Sequence, residues 1–112
     1  MPQFAVMLER ASAWDWSVPM RRQKLWNEHA AFMDGLADEG FIVAGGPLGN
    51  EDTAKRMLHI VRASNPEQIE KRLAEDPWRS IGMLKTASIE PWTVLLGVLR
   101  HAANAATQDD TL

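Results

Sequence analysis

Residues 3–9, QFAVMLE, are apolar on both faces of a strand: Phe4, Val6 and Leu8 alternate with Ala5 and Met7. Successive side chains of a strand point to opposite sides of its sheet, so a strand of this kind belongs in a sheet covered on both sides. Both faces of that sheet therefore need a cover.

One cover is legible downstream. After a loop, ASAWDWSVPM, the period changes: Leu25, His29, Phe32 and Leu36 fall four, three and four apart, with Met33 beside them. Arg22, Lys24, Glu28, Asp34 and Asp38 lie off that stripe. The spacing predicts an amphipathic helix over 20–39, ended by Gly40. FIVAGG reads as a second strand stopped at Gly45-Gly46-Pro47, and LGNEDTAK as the polar connection to a third, RMLHIVRA, in which Leu58 and Ile60 alternate with Met57, His59 and Val61. A second helix is announced by SNPEQIEKRLAED. Ser64 or Asn65 can cap it, Pro66 suits its first turn, and Glu67 stands three after Ser64 as in a capping box. Its stripe is Ile69 and Leu73, and Pro77 should stop it near Asp76. GMLKTASIEPW is the last strand, interrupted by Pro91.

The order β-α-β-β-α-β is the ferredoxin-like plan, an α+β protomer with a four-stranded antiparallel sheet and both helices on one face. The domain spans 1–92. Residues 93–112 form a C-terminal extension: TVLLGVLRHAANA is helix-like, with Val94, Leu95, Val98 and Leu99 on one stripe, and the tail from Ala105 is polar and expected to be disordered. Two helices leave the other sheet face bare. An apolar patch of that size is more than soluble monomers usually expose, so the second cover is expected to be another copy of the chain, in a homodimer joined through the sheets.

Composition excludes several functions. The 112 residues include no cysteine, which rules out thiol catalysis and Cys-based zinc sites and suits a reducing compartment. A formal charge of −3 offers no basic surplus for nucleic acid. Glu9 and Arg10 come too early for a signal peptide, and no run approaches the ~20 apolar residues of a membrane span, so a cytoplasmic protein is expected. The histidines at 29, 59 and 101 lack an HxH or HExxH arrangement, and no glycine-rich βαβ signature is present. Neither a metal nor a cofactor is expected.

HAAFMDGLADEGFIVAGGPLG, AEDPW and IEPW, in that order and spacing, resemble the YCII-related family of the dimeric α+β barrel superfamily. The resemblance covers residues 2–92. It implies a ferredoxin-like protomer, dimerisation sheet to sheet, and a pocket holding a His-Asp pair, which falls here on His29 and Asp76. It also implies cofactor-free lyase chemistry of the kind that eliminates chloride from a ring compound. The short connection after GGPLG, the AWDW loop and the C-terminal extension depart from many relatives and bear on pocket shape.

The residues lead to the same pair. His29 lies on the stripe of the first helix, and Asp76, three past Leu73, continues the stripe of the second. Both side chains then point toward one sheet face. A carboxylate fixes the tautomer of an imidazole and stabilises its cation, while an apolar wall lowers its pKa; the balance leaves a base usable near neutral pH. The plainer reading is a hydrogen-bonded core histidine and a helix-ending Asp-Pro turn. Gly45, Gly46 and Pro47 admit close approach of a ligand to backbone N–H groups, or are simply a turn needing positive φ. Trp14 and Trp16 are candidates for an aromatic wall or lid, or for burial against the dimer partner, whereas Trp26, Trp78 and Trp92 read as packing residues. His59 either lines the sheet or is a hydrogen-bonded strand residue. Three functions fit: a cofactor-free lyase or isomerase moving a proton on a small cyclic or aromatic molecule, a non-catalytic binding or sensing dimer, and a structural accessory subunit.

Overall fold

The computed structural model describes residues 1–99. The strands are β1 (Gln3–Arg10), β2 (Ile42–Pro47), β3 (Arg56–Arg62) and β4 (Leu84–Pro91), and the helices are α1 (Trp26–Asp38), α2 (Pro66–Leu73) and a single turn, α3 (Pro77–Ser80). The sheet is ordered β2-β3-β1-β4 with every neighbouring pair antiparallel, the ferredoxin-like topology.

Its two faces follow the alternation along β1. Phe4, Val6 and Leu8 are buried under the helices with Val61 and Met57 of β3. Leu36 of α1 and Ile69 and Leu73 of α2 close over them. The register pairs Val6 with His59 and Ile89, so the helix-covered face runs as a continuous row across three strands. On the opposite face Ala5, Met7 and Leu58 are half-buried, and no helix of the described residues covers them.

Three boundaries differ from expectation, each for a local reason. The helix expected over 20–39 starts only at Trp26; Met20–Arg22 is a separate 3-10 turn. Between them Leu25 takes a left-handed φ of 61°. Gln23 explains the break. Its buried side chain accepts from Asp15 N–H and donates to the carbonyls of Asp15 and Val18, which ties this stretch to the preceding loop instead of to a helix. The α2 cap falls on Asn65, the second of its two expected candidates, so the box runs from Asn65 to Gln68 and not from Ser64 to Glu67. Asn65 accepts from the N–H of Gln68, and the Gln68 side chain reaches back to the N–H of Ser64. Asp76 does not continue α2, which ends at Leu73; it is the N-cap of α3. Pro77 holds Asp76 in an extended conformation, ψ 127°, and is itself suited to a first helical position.

Past Pro91, Val94 is buried while Leu95, Leu96 and Val98 are exposed, and Gly97 has a φ of 86°. The helix expected from Thr93 is therefore not formed over residues 93–98, and the Leu99 carbonyl accepts from Gln3 Nε2. The rest of the expected extension, including the tail from Ala105, lies outside the described residues.

Candidate active site

His29 lies in the first turn of α1, and its backbone N–H is received by the carbonyl of Leu25, so the left-handed residue that delays the helix also sets where the imidazole emerges. Nδ1 stands 2.9 and 2.8 Å from the two carboxylate oxygens of Asp76. A carboxylate only accepts, so Nδ1 carries a proton and donates it; in the neutral imidazole Nε2 then keeps its lone pair. Asp76 is in turn held by its capping role: Oδ1 accepts the N–H of Trp78 at 2.9 Å. The carboxylate is 2% exposed, so the imidazole and this N–H replace the water it has lost.

Trp78 fixes the ring plane. Its indole stacks on the His29 imidazole with centroids 3.7 Å apart and planes 10° from parallel. The indole Nε1–H donates to the carbonyl of Lys24, and Trp14 packs edge-on behind it at 5.0 Å. The histidine is thus oriented from one edge by a carboxylate and from one face by an aromatic ring.

A cavity of about 160 Å³ opens beside this pair, between the helices and the sheet. Trp26, His29, Met33 and Trp78 line it from the helix side. Leu8, Arg10, Met57, His59 and Leu84 line it from the sheet, and Gly46 and Pro47 from the end of β2. The wall is mostly apolar, with Arg10, His29 and His59 as its ionisable side chains.

His59 is enclosed, and its Nδ1 has no hydrogen-bond partner among the described residues. Burial pushes its pKa down to about 4; His29 adds to the fall whenever it is protonated, and Asp76 opposes it. Gly45, its cross-strand partner, makes the room: a Cβ there would stand 2.4 Å from Cδ2 of the ring. Arg10 is buried in phase with Phe4, Val6 and Leu8. It donates from Nη1 to the Ala54 carbonyl at 2.7 Å and from Nη2 to the Glu51 carbonyl at 2.5 Å, and its guanidinium lies 4.0 Å above the Trp14 ring.

The structure therefore brings His29, Asp76, Gly46 and Pro47 together. Gly45 lies next to them but against His59, and neither Gly45 nor Gly46 has a positive φ. Trp14 is buried behind Trp78 and Trp16 is 53% exposed; neither lines the cavity. Trp26 and Trp78, expected only as packing residues, stand in the cavity wall, and so does Arg10, for which no role was expected. Arg10 was detectable as a cation on the inward phase of an apolar strand. Trp78 was detectable only once Asp76 is known to begin a helical turn and not to end one.

An α+β domain of ferredoxin-like topology, with a His-Asp pair beside a mostly apolar cavity, is the class that fold and geometry define. The YCII-related domain matches residues 4–93, and the chain belongs to that family. Among solved structures it is similar to the 5-chloro-2-hydroxyhydroquinone dehydrochlorinase from Burkholderia phenoliruptrix AC1100, determined in complex with 2,5-dihydroxybenzoquinone. The two share 18% identity at a TM-score of 0.55, over 84% of this chain and 95% of that one, a likeness of fold. No curated protein sequence matches this chain. Among the described residues no helix is long and apolar enough to cross a membrane, and no cluster of three or more metal-ligating side chains occurs.

Proposed function

We propose that this protein is a cofactor-free enzyme of lyase or isomerase type, with His29 as the base that moves a proton on a small cyclic or aromatic molecule. The observation that carries the reading is the bond of His29 Nδ1 to both oxygens of a buried Asp76, with His29 itself in the wall of a mostly apolar cavity. In the proposed step Nε2 takes a proton from an acidic ring hydroxyl or ring carbon. The electron pair left behind forms a new double bond. In a lyase that pair expels a leaving group such as halide, which departs with its bonding electrons; in an isomerase the proton is returned at another atom. Asp76 stabilises the imidazolium formed, without taking the proton itself.

Gly46 and Pro47 contact the substrate, Gly45 acts by admitting His59, and Trp14 acts from behind Trp78. Support for a ring substrate comes from the cavity: engineered cavities of about 150 Å³ take benzene. The similar dehydrochlorinase, crystallised with a dihydroxybenzoquinone, agrees with this. The working form is a homodimer joined through the helix-free face, which Ala5, Met7 and Leu58 make apolar, and the absence of cysteine suits the cytoplasm.

The test is a screen of substituted hydroquinones, phenols and lactones for turnover, followed by two variants of any hit. His29→Ala should abolish turnover with circular dichroism unchanged, and Asp76→Asn should lower it by roughly 10²- to 10⁴-fold through tautomer and orientation. If ligands bind tightly and leave unchanged, the protein is a binding module. If both variants lose only stability, by about 1–3 kcal/mol, the pair is structural.

A further inference from the structure

We propose that Arg10 is the specificity-determining counter-charge of the cavity, which makes the ligand a ring-bearing monoanion: an enolate, phenolate or comparable acid ionised at one oxygen. This rests on reading the cavity as the ligand site.

Arg10 is 5% exposed, yet no carboxylate among the described residues bonds its guanidinium. Its two recorded bonds go to the neutral carbonyls of Ala54 and Glu51, and its Nε, also buried, has no partner among the described residues. The nearby carboxylates are turned to other work. That of Glu51 holds Arg21 at 2.9 Å, and that of Asp52 accepts the N–H of Met20; neither residue lines the cavity. Burial lowers the Arg10 pKa from its usual value, against the opposing charges of Asp52 and Glu51, and an arginine so placed remains a cation.

A buried cation without an ionic contact is expensive unless something negative arrives. Charge balance says what that is. The Asp76 carboxylate is taken up by His29 Nδ1 and the Trp78 N–H and makes no bond to Arg10, so the guanidinium is left for an anion from outside. Once His29 takes a proton, the imidazolium and Asp76 are neutral as a pair, and Arg10 is balanced only if the molecule that lost the proton carries one negative charge. His59, held uncharged by its burial, adds no second cation. One charge, one ring-sized cavity and aromatic walls at Trp26 and Trp78 together describe the conjugate base of a weakly acidic ring compound.

The experiment compares 4-nitrophenolate with nitrobenzene, its uncharged isostere, by calorimetric titration at mildly alkaline pH, where the phenol is ionised. The wild type should prefer the phenolate by roughly tenfold or more, the scale of one charge-assisted hydrogen bond. Arg10→Met should bring the two affinities to near parity with nitrobenzene binding retained, and His29→Ala should keep the preference. That last arm separates this proposal from the catalytic reading, which His29→Ala tests by turnover. Because Arg10 also ties down the 51–54 loop, its replacement can unfold the chain. The Arg10 Nε–H resonance of the wild type is therefore followed as well, and it should move when phenolate is added and stay put with nitrobenzene. A wild type that binds nitrobenzene as tightly as the phenolate, or binds neither, overturns the proposal, as does a preference that follows His29 and survives in a folded Arg10→Met.

Discussion

Along β1 the helix-covered face reads Phe4, Val6, Leu8, Arg10 and the opposite face Ala5, Met7, Glu9, so one strand serves two surfaces of different chemistry. The covered face buries ionisable side chains among apolar ones: Arg10 and His59 on the strands, with Asp76 above them. None is needed to fill space, and each is costly to dehydrate, so an all-apolar layer would make the more stable fold. The centre of the helix-free face, Ala5, Met7, Leu58 and Ile60, is apolar, with Glu9 and Arg62 only at its ends, and it meets the exposed Leu48 and Trp92 at its edges. The contrast separates a surface arranged for chemistry from one suited to association.

The largest effect expected is on the open face. Leu58, opposite Met7 in the register, becomes a carboxylate in Leu58→Asp, and a two-fold interface would then hold two facing charges. Sedimentation at micromolar concentration should change from twice the chain mass to the chain mass, with ligand binding in the cavity preserved. A variant that stays dimeric removes this face from the interface, and one that also loses ligand binding shows that the two faces are not independent.

A smaller effect belongs to the covered face. Folded His59 titrates at about 4, below the ordinary value of 6.5 that it regains on unfolding. Above the higher value neither state holds the proton. As pH falls toward the lower one the unfolded chain binds a proton that the native chain refuses, so stability is lost across that window, by about 3 kcal/mol at most. Urea unfolding at stepped pH should show this slope and His59→Gln should flatten it; an unchanged slope would assign it to other groups.

The smallest effect tests the fit between Gly45 and His59. Gly45→Ala pushes a methyl into the imidazole edge and should cost about 1–2 kcal/mol. Adding His59→Ala should recover most of that loss, since the clash is with the ring and not with backbone. Full additivity of the two changes in denaturant unfolding would show that the ring had already moved aside.

Much of the fold was legible because its signals are local. The apolar alternation of β1, the stripes of α1 and α2, and the glycine and proline punctuation each act over a few residues, and together they specify the order of elements. The places where expectation and structure part company are those where a distant group competes with local preference. Gln23 is a competent helix former, and it left the helix because the backbone of Asp15 and Val18 offered its side chain partners. Asp76 was found by counting along a stripe that had already ended. It still faces His29, because a proline-started turn carries it there.

By itself, then, the sequence determined the ferredoxin-like order, the family and the candidate His-Asp pair, since periodicity, capping chemistry and motif spacing are properties of neighbouring residues. Only the tertiary structure decided that Arg10, His59 and Trp78 join that pair around one cavity, and that Trp14 and Trp16 stand away from it. Strand register sets the first: β1 and β3 pair so that Leu8 lies opposite Met57, and this brings residues 10 and 59 to one wall. Packing sets the second, because Trp14 is held at a near-right angle against Trp78, which stands between it and His29. Register and packing depend on contacts between residues far apart in the chain, which no short stretch of it encodes.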